Sequence, residues 1–169
     1  MRITTRELVI AALLISLVAV ATMVIQIPVA ATSGYINFGD TIIFASSLVF
    51  GPVHGLLAGG LGSAAADVLS GYGHWAPFTL LVKGLEGLLC GFIFHTIMRG
   101  RTKAGIVPAV LSMLVAGAWM VTGYFLVGLY LTRSVGAALA EVPGNGIQAA
   151  VSVILASAIY KPLAKIAKR

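Results

Sequence analysis

The chain has 169 residues, of which 59% are hydrophobic and only 9% charged, with a mean hydropathy of +1.03; this excludes a soluble globular domain and indicates an integral membrane protein. The formal net charge of +6 does not describe a nucleic-acid surface, because the basic residues sit at the ends of apolar segments and do not interleave with aromatics. A single cysteine, Cys90, lies inside an apolar run and excludes an internal disulfide or a cysteine-based metal site.

No linker, charge block or low-complexity tract separates the apolar segments, so residues 1–169 read as a single membrane domain. The first segment, residues 7–26, follows Arg2 and Arg6 and is longer than a signal-peptide core of roughly 7 to 15 residues, so it reads as a membrane helix rather than a cleaved leader. It ends ahead of Pro28, which disfavours helix at the preceding residue. Ala12, Ser16 and Ala19 share one face, a small-residue pattern that allows close approach of another helix, inside the bundle or on a partner.

Residues 28–39 read as a polar, glycine-containing loop, with Asp40 as N-cap of the next helix. The apolar stretch 40–71 is broken by Gly51 and Pro52. Nine of the eleven basic residues fall in three clusters: Arg2 and Arg6, then Arg99, Arg101 and Lys103, then Lys161, Lys165, Lys168 and Arg169. Placing the first two clusters on the cytoplasmic side requires an even number of passes between them, so 40–50 and 54–70 are two short crossing helices. Gly55, Gly59, Ser63 and Asp67 form one i+4 ridge of the second, and Ala58, Gly62, Ala66 and Ser70 the adjacent one, which predicts tight contact on two sides. Further helices are expected over 77–98, 106–131 and 143–160. The predicted fold is an all-α integral membrane protein, a six-transmembrane-helix bundle with both termini cytoplasmic.

An ionisable side chain at membrane depth costs about 2.5 to 3.5 kcal/mol on insertion scales, so Asp67, Lys83 and Glu86 require partners, water or a ligand. At 1.5 Å per residue, Lys83 and Glu86 lie roughly 9 and 13 Å below the outer end of their helix, on one face. Asn145 and Gln148 occupy the first turns of helix 143–160, with Ser152 continuing their face, and Tyr124 sits in the outer half of helix 106–131. Two readings stay open. In one, Asp67, Lys83 and Glu86 are a structural ion-pair network, Lys83 pairing with Asp67. In the other, an outward-facing pocket takes ligand contacts from Asn37, Asp40, His74, Trp75, Lys83, Glu86, Tyr124, Asn145 and Gln148, with loop 28–39 above it. His74 and Trp75 also suit an interfacial aromatic belt. There is no phosphate-binding G-x-x-x-x-G-K-[ST] loop, no H-E-x-x-H and no nucleophile motif, so no catalytic residue, cofactor or metal is assigned, and transport by this chain must borrow its energy.

The runs GYINFGD (34–40), GSAAADVLSGY (62–72) and APFTLLVKGLEG (76–87), with Pro143, Asn145 and Gln148, resemble the S components of energy-coupling-factor vitamin transporters. The resemblance is to the riboflavin-type branch, which includes hydroxymethylpyrimidine and pyridoxine S components. It implies a prokaryotic plasma-membrane protein that captures a water-soluble vitamin from outside, through its first loop and helices 4 to 6. It also implies a transmembrane coupling (T) subunit and two cytoplasmic ATPases as partners. In that family helix 1 docks through small residues spaced four apart, for which Ala12 and Ser16 are the nearest match, and the subunit topples to release cargo. An aromatic fraction of 8% is modest for stacking a three-ring flavin, which favours pyridoxine or hydroxymethylpyrimidine over riboflavin. The competing readings are a riboflavin S component, a stand-alone permease, a structural membrane subunit, and a membrane-embedded enzyme using Glu86 or Asp67.

Overall fold

A computed structural model describes residues 4–99 and 105–167. Of the basic residues used above to orient the chain, Arg2, Arg101, Lys103, Lys168 and Arg169 lie outside the described residues. Helix α1 (Thr5–Val24) begins two residues before its expected start because Thr4 and Glu7 form a capping box. The Glu7 carboxylate accepts from the Thr4 N–H at 2.8 Å, and Thr4 Oγ1 accepts from the Glu7 N–H at 3.3 Å.

The expected loop is a hairpin. Strands β1 (Gln26–Val29) and β2 (Gly34–Asn37) pair antiparallel, with Gln26 opposite Asn37 and Val29 opposite Gly34. Pro28 lacks a donor, which an isolated two-stranded ribbon tolerates on an outward edge. Helix α2 (Gly39–Phe50) follows, and nine of its twelve residues are buried. Asp40 is not its N-cap: the cap position is Phe38, and Asp40 lies in the first turn with its side chain turned into the bundle.

Gly51, at φ +96°, reverses the chain in a conformation that only glycine adopts without strain, and Pro52 starts α3 (Pro52–Leu57). A π-helical turn (Ala58–Gly62) joins α3 to α4 (Ser63–Leu69). The small residues of this rod carry out the expected packing on two sides. A Cβ on Gly55 would fall 2.6 Å from the Gly87 carbonyl oxygen, and one on Gly62 would fall 2.7 Å from the Ile15 carbonyl oxygen. Backbone therefore meets backbone, against α5 (Ala76–Met98) on one side and α1 on the other.

Helix α6 (Ile106–Thr132) turns at Arg133, which is left-handed, into α7 (Val135–Ala167). The expected start of the last helix at Pro143 is corrected: Ser134 Oγ caps it by accepting from the Ala137 N–H at 3.3 Å, and Pro143 lies inside the helix. Pro143 forgoes one backbone hydrogen bond there, from an exposed position.

Four helices, α1, α5, α6 and the Val135–Lys165 part of α7, are long and apolar enough to cross a membrane. One half of the bundle is an apolar core in which Phe44, Leu48, Cys90, Phe94, Met113 and Tyr160 pack together. The opposite half, beneath the hairpin, holds most of the buried polar side chains.

Candidate functional site

Beneath the hairpin, six segments converge on one small chamber. Its wall is formed by Thr22 at the end of α1, Gly34, Tyr35 and Asn37 of β2, Ser63 and Asp67 of α4, Trp75 and Thr79 at the start of α5, Tyr124 of α6, and Glu141, Asn145 and Gln148 of α7. The space enclosed is about 20 Å³, room for about one water molecule. The hairpin is therefore shut against the bundle.

Five hydrogen bonds hold it there, one of them from Gln26 Nε2 of β1 to Ser70 Oγ at 3.1 Å. The Tyr35 hydroxyl donates to Asp67 Oδ1 at 2.5 Å, and Trp75 Nε1 donates to the Ser33 carbonyl at 3.2 Å. The Thr32 hydroxyl donates to Glu141 Oε1, and the Asn37 N–H donates to Gln148 Oε1 at 2.7 Å. Burial, and after it the neighbouring Asp67 carboxylate, push the Tyr35 phenol well above the ordinary tyrosine range, so it stays a donor.

A second layer lies under the chamber. Lys83 contacts Asp40 and sits 3.2 Å from Glu86 Oε2, three residues on along α5. Gln148 Nε2 donates to Asp40 Oδ2 at 2.7 Å, so this one amide links the ion-paired layer to the hairpin backbone. The expected pairing of Lys83 with Asp67 is corrected. Asp40, turned inward from the first turn of α2, takes the lysine, while Asp67 partners the Tyr35 hydroxyl and is no member of the ion-paired layer. Lys83 Nζ also lies 5.4 Å from the centre of the Tyr124 ring, within cation–π range.

Of the residues singled out from sequence, Asn37, Asp67, Trp75, Tyr124, Asn145 and Gln148 line the chamber. Asp40, Lys83 and Glu86 form the layer below it. His74 is exposed, with its ring beside Trp75 at 6.2 Å between centres, and does not reach the chamber. Ala12 and Ser16 are exposed on α1, Ala19 is half-buried, and Ser16 Oγ returns a hydrogen bond to the Ala12 carbonyl at 2.9 Å. From sequence Ser63 reads only as a packing residue of the small-residue ridge, Thr22 and Thr79 are hydroxyls of a kind common in membrane helices and carry no signal, and Glu141 falls in a loop ahead of Pro143. The signal for Glu141 was its spacing: with Asn145, Gln148 and Ser152 it makes a stripe at i, i+4, i+7 and i+11 on one helical face.

The model of the ECF-type riboflavin transporter S component matches residues 2–165. An uncharacterized protein of Pyrococcus woesei is 41% identical over 138 residues, covering 82% of this chain and 88% of that protein. The thiamine precursor transporter HmpT of Lactococcus lactis subsp. cremoris is 30% identical over 124 residues, covering 73% of this chain and 66% of HmpT. The solved S component of a bacterial ECF transporter superposes over 97% of this chain and 98% of its own length, with a TM-score of 0.71 at 18% identity, a likeness of fold. Proteins of this family are transporter subunits and not enzymes, which closes the reading of Glu86 or Asp67 as an acid or base in turnover. A 97%-long structural match, a chain-length family match and a polar chamber under a hairpin agree: this chain belongs to the ECF-type riboflavin transporter S-component family and is a multi-pass plasma-membrane transport subunit.

Proposed function

We propose that the chain captures a small water-soluble vitamin or vitamin precursor in the chamber beneath the hairpin and delivers it to an ATP-driven importer. The observation that carries this reading is the chamber itself, which gathers hydroxyl, amide and carboxyl groups beside aromatic rings within a bundle whose opposite half is apolar. Membrane proteins do not retain such groups at depth without a use for them. Asn37, Trp75, Tyr124, Asn145 and Gln148 contact the ligand directly, and Asp40, Lys83 and Glu86 hold those contacts in place from below. His74, exposed beside Trp75, meets the ligand only on its way in.

The chain acts as one membrane domain with six spans, counting α2 and the α3–α4 rod as two short ones, and with both termini cytoplasmic. The chamber then faces outward, and the hairpin is the lid that opens to admit ligand. S components work with a transmembrane coupling subunit and two ATPases, and the exposed face of α1 carrying Ala12 and Ser16, with Ala19 at its edge, is the docking face. Only Leu14, Val18 and Thr22 of α1 are buried within this chain, which leaves that face available to a partner.

The ligand favoured is hydroxymethylpyrimidine or pyridoxine, single-ring compounds that suit a chain of only 8% aromatic residues; the relative HmpT is a thiamine precursor transporter. The test is calorimetry on the purified full chain in detergent, without nucleotide, against hydroxymethylpyrimidine, pyridoxine and riboflavin. One of the single-ring compounds binds, and Asn145→Ala weakens it. Riboflavin as the sole binder would overturn the substrate assignment, and no binding to any B-group vitamin would overturn the capture reading.

A further inference from the structure

Among the described residues, the chamber wall contains no lysine, arginine or histidine, and its only ionisable carboxyl groups are Asp67 and Glu141. They approach from different helices, α4 and α7, and each takes one hydrogen bond from the hairpin, from Tyr35 and Thr32 respectively. Glu141 reaches the hairpin because residue 34 is glycine: a Cβ there would fall 2.8 Å from Glu141 Oε1. Asp67 Oδ2 is buried and has no hydrogen-bond partner, while the residue is only 3% exposed. Lys83 is already engaged by Asp40 and Glu86 in the layer below and is 1% exposed, and His74 lies exposed outside the chamber wall.

We propose that Asp67 and Glu141 make the chamber selective for a neutral or cationic ligand rich in N–H and O–H donors, and that they exclude the phosphorylated form of the same compound. The proposal rests on the capture reading above. A buried acceptor without a partner is costly, and a ligand donor placed against it recovers that cost, so such a site discriminates strongly by donor placement. A phosphate would instead set its oxygens against two carboxylates in a water-poor space, with no free cation to offset the repulsion. Glu141 is thereby a specificity-determining residue and not only a latch for the lid.

The test is calorimetry on the purified full chain in detergent near neutral pH, using 4-amino-5-hydroxymethyl-2-methylpyrimidine, pyridoxine and pyridoxamine, each paired with its phosphate monoester. The expected result is that any compound that binds does so at least about 100-fold more tightly than its monoester. Glu141→Gln and Asp67→Asn, which keep shape but remove charge, are expected to narrow that gap by about 10-fold or more. If either variant fails to fold, the wild-type ratio decides alone. A monoester that binds as tightly as its parent overturns the proposal, as does an unchanged gap in both folded variants. Absence of binding by every compound and by riboflavin overturns the capture reading itself, a distinct outcome.

Discussion

Tyr35 donates its hydroxyl to Asp67 across 2.5 Å, tying the second strand of the hairpin to α4 directly over the chamber. With the hairpin shut there is room for about one water, so on the proposed capture reading ligand entry and exit require this bond to break. Tyr35→Phe removes the donor that the hairpin gives to Asp67 Oδ1. Ligand release, followed by Trp75 fluorescence in a stopped-flow experiment, should accelerate by about 10-fold, the equivalent of one charge-assisted hydrogen bond at the low end of its range. An unchanged release rate would show that the hairpin is held by its other contacts.

The same bond should be insensitive to pH across the neutral and mildly alkaline range. Because burial and Asp67 raise the Tyr35 phenol above its ordinary range, the proton that holds the lid is retained as pH rises through the region where free tyrosine ionises, near about 10. The release rate of the wild type should therefore stay flat up to that region, with no acceleration of the kind Tyr35→Phe produces. A release rate that climbs at mildly alkaline pH, and does so in wild type but not in Tyr35→Phe, would contradict this.

Lys83 compensates two buried carboxylates at once, Asp40 and Glu86. Lys83→Met leaves both without their cation and should destabilise the fold by about 3–5 kcal/mol, read as a large fall in the melting temperature in detergent. Adding Asp40→Asn and Glu86→Gln to Lys83→Met removes the uncompensated charge and should return much of that loss. If the triple variant melts no higher than the single one, the layer is held by packing and not by charge.

The helices were legible in the sequence because apolar length, proline and the basic clusters each mark boundaries independently. The ends of 77–98 and 106–131 fall within one residue of α5 and α6. The last helix was misplaced because Pro143 imitates a first-turn proline, while the true cap, Ser134, follows a left-handed Arg133 that no composition signals. That one error hid Glu141. The hairpin was hidden for a different reason, since two strands of four residues take their register from contacts with α4 and α7 rather than from alternation of their own. The partner of Lys83 was likewise undecidable from spacing: Asp40 and Asp67 lie 43 and 16 residues from it in the chain, and only the rotation of α2 brings Asp40 inward.

Gly55 and Gly87 set the distance between α3 and α5. A Cβ on Gly87 would collide with the Gly55 carbonyl group, so Gly87→Ala must push the two helices apart. The cost should reach about 1–3 kcal/mol or more, seen as a lowered melting temperature. Gly146→Ala is the matched control, because a Cβ there meets nothing within 4 Å and lies in a helix, where alanine is favoured by about 0.5–1 kcal/mol. Equal melting temperatures for the two variants would mean that the α3–α5 contact is not close.

Gln148 serves two layers with one amide: its nitrogen donates to Asp40, and its oxygen accepts from the Asn37 backbone. Gln148→Glu keeps the shape and the acceptor but loses the donor, and sets a third carboxylate against Asp40. It should therefore be more damaging than Gln148→Leu, in which the lost bonds are not joined by a new repulsion. Adding Asp40→Asn to Gln148→Glu supplies a donor from the other side and should recover stability, read as a rise in melting temperature over the single variant. Ligand affinity should follow the same order, since the amide that holds Asp40 also holds the hairpin strand above it. An order in which Gln148→Leu is worst would assign this residue a packing role and separate the lid from the ion-paired layer.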